Sequence, residues 1–293
     1  MSRTAGVTAA HVGPLRRNRT LGKLLRRAGV YAVLLLGSAL MLFPFFWMVM
    51  LSLGTQQQLY RIPPQWIPDA FRWGNYATAM TQFNFLRAFG NTLLITGLGL
   101  VGQLISVTMV AFAFARLRWP GRDFFFVVLL ATMMIPPQVT QIPLYIIWRN
   151  LGAIDTYWPL IVPNFFGDPY LIFFARQFLL TIPVELEEAA RVDGCGYRDM
   201  FLRIFLPLSV LLLLTISLFT ILWNWNDFYG PLIYLTSPEK FTLQLGLLSF
   251  NTQFRVEIPP LMAASVAIVA PIIVIFLFGQ RYFIRSIVLT GLK

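Results

Sequence analysis

TIPVELEEAARVDGCGYRDMFLRIFLPLS, residues 181–209, concentrates charge in a chain that otherwise has little of it. Five of the 12 acidic residues lie here (Glu185, Glu187, Glu188, Asp193 and Asp199), together with Arg191, Arg198 and Arg203. Pro183 suits a first helical turn, where its missing N–H costs nothing. The acids that follow suit the positive end of the helix dipole. Glu187 precedes Arg191 by four residues, the favourable order for a pair on one helix face. Ala189 and Ala190 keep one face thin enough for another surface to approach. Gly194 and Gly196 then supply a turn in which positive φ is cheap, and a second short helix leads on through Ile204, Leu206 and Pro207. The segment reads as two short helices joined at a glycine turn. Composition alone fits a solvated loop as well as a docking surface for a partner.

The flanking sequence is apolar. Residues 30–53, 91–115, 124–147, 204–223 and 261–280 are uncharged, and each approaches the ~20 apolar residues that cross ~30 Å of hydrocarbon. Residues 157–180 make a sixth candidate, interrupted by Gly167-Asp168-Pro169 and carrying Arg176 near its end. Charged residues make up 12% of the 293, about half the roughly 25% of soluble domains, so lipid must cover much of the surface. The expectation is an all-α integral membrane protein with six transmembrane helices. The organisation expected is a basic tail (1–29), a first membrane helix (30–53), an outer loop (54–86), a five-helix core containing the 181–209 loop (87–283) and a short tail (284–293). The first helix has no small-residue cleavage site and reads as a retained anchor rather than a signal peptide. A lone Cys195 excludes an internal disulfide, and Cys195 with His11 cannot build a Cys/His metal site.

Net charge is +11, and its placement is a topology signal. With six spans, seventeen of the 23 basic residues fall on the side of the termini, including Arg26, Arg27, Arg116, Arg122 and Arg176. Six fall on the other side: Arg61, Arg72, Arg87, Arg149, Lys240 and Arg255. Both termini are therefore expected in the cytoplasm, with anionic lipid headgroups as neighbours and no role in binding nucleic acid. No phosphate-binding loop appears, since the nearest glycine pair, Gly13 and Gly22-Lys23, has the wrong spacing and lacks the Ser/Thr. No hydrolase motif appears either. Five of the spans carry no ionisable group, whereas ion-coupled carriers place such groups inside the membrane. The chain thus reads as a transporter part without its own energy source.

Glu188-Ala189-Ala190, Gly194 and Ile204-x-Leu206-Pro207 together resemble the EAA signature of membrane subunits of binding-protein-dependent ABC importers. FGNTLLIT (89–96), AFAFARLRWPGRDF (111–124), IPPQVTQIPLY (135–145), FARQFL (174–179), WNWNDFYGPLI (223–233) and QRYFIRSIVLTGLK (280–293) look like the maltose-type carbohydrate permeases, in particular the six-span MalG-like partner. The resemblance implies the type I importer (MetI-like) permease fold. It implies a subunit without an ATPase site or cofactor of its own, ATP and Mg being held by a dimer of ATP-binding-cassette subunits. A sister permease (MalF-like) would share the translocation path for a sugar or oligosaccharide, and a periplasmic or lipid-anchored solute-binding protein would deliver it. The EAA loop would be the coupling helix, seated in a cleft of the ATPase. Glu188 would offer it a carboxylate, Ala189 and Ala190 close approach, and Gly194 the turn. The tail ending Gly291-Leu292-Lys293 would reach between the two ATPases.

Polar or kinked positions inside the spans are the candidates for the solute path: Gln138 and Gln141 beside Pro136, Asn164 with Asp168, and Asn224, Asn226 and Asp227. Backbone freed by Pro136-Pro137 is tolerable at membrane depth only beside protein or a watery cavity. Trp223 and Trp225 fit an interfacial belt. Gly97, Gly99, Gly102, Ser106 and Ala111 permit close helix contact, either within the subunit or against the sister permease. A same-architecture importer of a glycerophosphodiester or polyol is the alternative reading, and a self-sufficient secondary carrier a more distant one.

Overall fold

The computed structural model describes residues 17–63, 65–251 and 256–290. The tail before Arg17, with His11, and the closing Gly291-Leu292-Lys293 lie outside the described residues. In chain order the helices are α1 (Arg17–Leu53), α2 (Gly74–Gln82), α3 (Phe85–Arg116), α4 (Arg122–Thr132), α5 (Pro137–Asn150), α6 (Trp158–Ile161, continued by a tighter turn, Val162–Phe166) and α7 (Pro169–Leu180). Then follow α8 (Val184–Val192), α9 (Tyr197–Asp199), a π-helical turn (Met200–Phe205), α10 (Leu206–Leu208), α11 (Val210–Asn226), α12 (Tyr229–Tyr234), α13 (Leu243–Gly246) and α14 (Ile258–Thr290).

Among the described residues α1, α3 and the stretch of α14 to Phe278 are long and apolar enough to cross a membrane unaided. Three bent pairs raise the number to six when each counts as one span. They are α4 with α5 at 97°, the α6–α7 run with α8 at 74°, and the α9–α10 run with α11 at 76°. Two expected spans are corrected by these bends. Residues 124–147 are not one helix, because Pro136 sits in extended backbone (ψ 133°) and Pro137 opens a new helix as its first residue. Residues 204–223 are likewise not one helix, since α11 runs over Val210–Asn226 and the stretch before it is a separate, bent piece. Pro207 lacks the N–H that a continuing helix needs, and the chain breaks at Ser209 before α11 begins.

α3 is the central rod, packed on α7, α11 and the Val162–Phe166 turn, while α1 lies against α14. Its small residues face inward. A Cβ added at Gly102 would stand 2.6 Å from the Phe165 ring, and one at Gly99 would stand 2.5 Å from Asn224 Nδ2 and 3.1 Å from Asn164 Nδ2. Ser106 and Ala111 are buried too, whereas Gly97 has nothing within 4 Å of the same position. The stripe therefore serves packing inside the subunit at every position named except Gly97. Large apolar side chains elsewhere are exposed, Leu36 and Met41 on α1 at 71% each, which suits hydrocarbon rather than water.

The two ends of α3, about 48 Å apart at 1.5 Å per residue, are finished differently. At its start, Asn91 Nδ2 donates to Glu239 O (2.9 Å) and Phe241 O (3.0 Å), and Leu243 N donates to the buried Thr92 hydroxyl (2.9 Å). Asp155, in left-handed backbone (φ 58°), accepts from Lys240 Nζ (2.9 Å), Ser237 Oγ (2.6 Å) and the amides of Thr236 and Ser237. These donors hold its carboxyl well below the ordinary carboxylate value, the Lys240 ammonium foremost. The far end of α3 meets the 181–209 loop.

Candidate coupling surface and solute path

The 181–209 segment folds as two short helical pieces around a glycine turn. α8 follows Pro183, which caps it in extended backbone instead of forming its first turn. Gly194 has φ +79°, a conformation that costs a residue with a Cβ about 1–2 kcal/mol, and Gly194 N donates to Arg191 O (3.0 Å) to close the turn. Glu187 and Arg191 form the expected pair at 2.6 Å. Arg203 and Asp199 form a second, exposed pair at 3.2 Å.

One face of α8 is spent inside the subunit. Glu187 and Ala190 are buried, Ala190 in the same apolar cluster as Val107, Ala111, Leu179, Met200 and Phe205. Ala190 is therefore packed against its own chain, and of the alanine pair only Ala189 is open to an approaching surface. Glu188, Ala189 and Gly194 are exposed, as is Val192 at 88%. Ile204 and Leu206 are half-buried and Pro207 exposed on the piece that leads to α11.

A residue outside the motif completes this region. Arg116, the last residue of α3, has a side chain only 7% exposed and lies 3.7 Å from Glu187 Oε2. It donates to Leu179 O and, at 2.6 Å, to Ile182 O, and its guanidinium carbon sits 4.8 Å from the centre of the Phe205 ring. Arg116 and Glu187 are too far apart in sequence for any helical spacing to have joined them.

The candidate solute-path residues divide. Asn164 and Asn224 converge over Gly99. Asn164 Nδ2 donates to Leu160 O (3.0 Å), and Ser106 Oγ donates to Asn164 O (3.1 Å). Asn224 Nδ2 is buried without a protein partner among the described residues, as are the hydroxyls of Thr220 on the same helix and Thr96 on α3. Gly167 (φ +78°) breaks the fourth span, and Asp168 restarts it by accepting from Leu171 N (3.0 Å), while Asp168 N donates to Gln103 Oε1 (3.1 Å). Asp168 is thus a helix cap tied to α3. Asn226 lies further along α11, accepting from Gln244 Nε2 (3.3 Å), and Asp227 accepts from Gly230 N (3.0 Å) at the helix end. Gln138 and Gln141 stand on α5, which buries none of its side chains, and no hydrogen bond among the described residues joins them to the asparagine pair. Trp225 departs from its expected belt position. It is buried, and its indole donates to Ile268 O (3.2 Å), tying α11 to α14. Trp223 stays exposed at 44%. Among the described residues no group of His, Cys, Asp and Glu is placed to hold a metal ion.

Comparison with known proteins now bears on these features. Residues 107–288 match the family described as binding-protein-dependent transport system inner membrane component. The arabinooligosaccharides transport system permease protein AraQ of Bacillus subtilis is 34% identical over 259 residues, 87% of this chain and 92% of the relative. The diacetylchitobiose uptake system permease protein NgcG of Streptomyces coelicolor is 28% identical over 260 residues, 88% and 86% of the two chains. In fold, the chain matches a chain in the crystal structure of a bacterial ABC transporter involved in the import of the acidic polysaccharide alginate. That match has a TM-score of 0.77 at 24% identity and covers 92% of this chain and 99% of the other. A multi-pass helical bundle, an exposed EAA loop and a family match over more than half its length agree: the chain belongs to the binding-protein-dependent transport system inner membrane components, the permease subunits of ABC importers that leave ATP hydrolysis to separate subunits.

Proposed function

We propose that this chain is one of two permease subunits of a carbohydrate ABC importer, and that the exposed face of α8 couples it to an ATP-binding-cassette dimer. The observation that carries the coupling role is the combination of Glu188, Ala189 and Gly194 with Val192, 88% exposed, on one surface. The same segment leaves Val184, Leu186, Tyr197 and Leu202 exposed as well, and apolar side chains gathered in this way beside charges mark a surface that a partner covers. Glu188 offers that partner a carboxylate, Ala189 allows backbone-close approach, and Gly194 sets the angle between the two short helices. Ile204, Leu206 and Pro207 pass the loop's position to α11. ATP and Mg belong to the partner subunits.

In the membrane the chain lies with both termini and the α8 loop cytoplasmic, which the excess of basic residues on that side supports. The core runs over about residues 87–283. Opposite the loop, the surface finished by Asp155 and Asn91 would meet a solute-binding protein. The solute path passes Asn164, Asn224 and the unpartnered Thr96 and Thr220 hydroxyls, with Asn226 and Asp227 toward the outside, Asp168 about one turn nearer the loop through its bond to Gln103, and Gln138 and Gln141 on the α5 wall. Amide and hydroxyl groups of this kind suit sugar hydroxyls, and the two named relatives transport oligosaccharides.

Two measurements test this reading. Gentle purification of the tagged chain should recover an ATP-binding subunit and a second permease, and solute-binding protein loaded with an oligosaccharide should stimulate ATP hydrolysis by the recovered complex. Stimulation by a glycerophosphodiester or polyol alone would replace the solute class and leave the permease role standing. Gly194→Asp should insert normally and abolish import, because an acid in the turn disturbs the ATPase contact. Normal uptake by Gly194→Asp would refute the coupling assignment.

A further inference from the structure

We propose that Arg116 is a positioning residue, the joint through which movement of the α8 loop reaches the membrane helices. This rests on the coupling reading of that loop and adds the element that transmits its motion. α8 faces the bundle with only two buried residues, Glu187 and Ala190. The Glu187 carboxylate is held from two directions, by Arg191 of its own helix at 2.6 Å and by Arg116 of α3 at 3.7 Å. Arg116 in turn donates to Leu179 O, in the last turn of α7, and to Ile182 O, in the link to α8, and lies over Phe205 on the path to α11. One guanidinium therefore touches α7, α8 and the approach to α11, and is itself the end of α3.

The chemistry suits a rigid link. Leu179 O, in the last turn of α7, and Ile182 O, in the link to α8, lie where the regular helical ladder has ended, and Arg116 donates to both. A planar fork with five donors can reach carbonyls and a carboxylate together, which a lysine ammonium on its flexible stem cannot do in the same geometry. The side chains of Arg116 and Glu187 are 7% and 9% exposed. Sliding α8 away from α3 would leave the Arg116 guanidinium buried without its carboxylate, which is strongly unfavourable. The loop and the three helices are thus constrained to move together. Arg203 and Asp199, 79% and 47% exposed on the same loop, pair with each other and form no other ion pair among the described residues, so they provide the control.

The test uses the assembled importer in proteoliposomes, with its ATPase, sister permease and solute-binding protein. The variants are Arg116→Lys, Glu187→Gln, the apolar pair Arg116→Met with Glu187→Leu, and Arg203→Ala as control. Two quantities are read: ATP hydrolysed per solute imported, and thiol cross-linking from Ala189→Cys to the ATPase subunit. The Arg116 and Glu187 variants should keep the cross-link while the ATP-to-solute ratio rises about tenfold, within the range that residues of a coupling network command. Arg203→Ala should stay within about twofold of the parent, as exposed substitutions do. The apolar pair guards against misfolding, since well-packed apolar side chains replace buried ion pairs without loss of the fold. An assembled apolar-pair variant that imports with the parent's ratio overturns the proposal. So does loss of the complex in every variant, the apolar pair included, because Arg116 would then be a folding residue. Absence of the cross-link in the parent with Ala189→Cys alone would instead overturn the coupling reading of the loop.

Discussion

Gly102→Ala, compared with Gly97→Ala on the same helix, isolates the close packing at the centre of the bundle. A Cβ at Gly102 would stand 2.6 Å from Phe165 Cδ2 and 2.9 Å from both Cε2 and Cγ. Carbon atoms rest at about 3.5–4.0 Å, so the ring must retreat by about 1 Å. Phe165 is 45% exposed and has room on one side, but Cγ is fixed next to the backbone, so the Val162–Phe166 turn moves with it. Overpacking of this kind costs about 1–3 kcal/mol. Replacing glycine by alanine within a helix returns about 0.5–1 kcal/mol, and Gly97→Ala, with nothing within 4 Å, receives that gain alone. The helix term is common to both variants, so their difference is the clash, about 1–3 kcal/mol. At about 2–4 °C per kcal/mol for a chain of this size, Gly102→Ala should melt several degrees below Gly97→Ala in the same detergent. Import should fall with it, because the displaced turn carries Asn164. Adding Phe165→Ala should close most of the gap. Equal melting temperatures for the two single variants would refute the inward placement of Gly102.

Two further outcomes concern the ties between elements. Asp155→Asn should destabilise the protein by about 1–2 kcal/mol at neutral pH through loss of charge-assisted bonds from Lys240 and Ser237. The native carboxyl titrates below its ordinary value of 3.8, so its contribution is complete above that value and is lost as pH falls through the lower native one. Melting of the parent and the variant across pH should therefore show a constant gap from about pH 8 to 5 that closes only below about pH 4; closure by pH 6 would contradict the Asp155 network. Trp225→Phe should cost about 1–2 kcal/mol by leaving Ile268 O without the indole donor, read as a lower melting temperature. An unchanged value would mean that this bond does not hold α11 to α14.

What was legible in the sequence follows the range of the forces involved. The two short helices of residues 181–209 are governed by neighbours: Pro183 at the start, Glu187 and Arg191 one turn apart, Gly194 at the bend. Apolar runs of sufficient length revealed the spans, because hydrocarbon thickness is a local requirement on the chain. The bend at Pro136 and the late start of α11 were less accessible, since a proline marks where a helix is weak without saying whether the chain kinks or turns. The glycine stripe on α3 showed that something approaches closely; only the fold says that it is Phe165 at Gly102, Asn164 and Asn224 at Gly99, and nothing at Gly97. Trp225 looked interfacial because its neighbours are, and its partner at Ile268 lies on another helix.

The same distinction explains Arg116. By position it is one more arginine on the side rich in basic residues, and that bias survives without it. Burial changes what such a charge does. Arg118, just beyond it, is exposed enough to be half in water and contributes mainly to orientation, an effect spread over many residues. Arg116 is withdrawn into the apolar cluster, where its charge is affordable only while Glu187 and the α7 carbonyls stay in place. In a chain with 35 charged residues among 293, a buried pair that spans two elements is a constraint on how those elements move. That constraint joins the loop to α3 through Glu187, the charged residue of α8 that is buried.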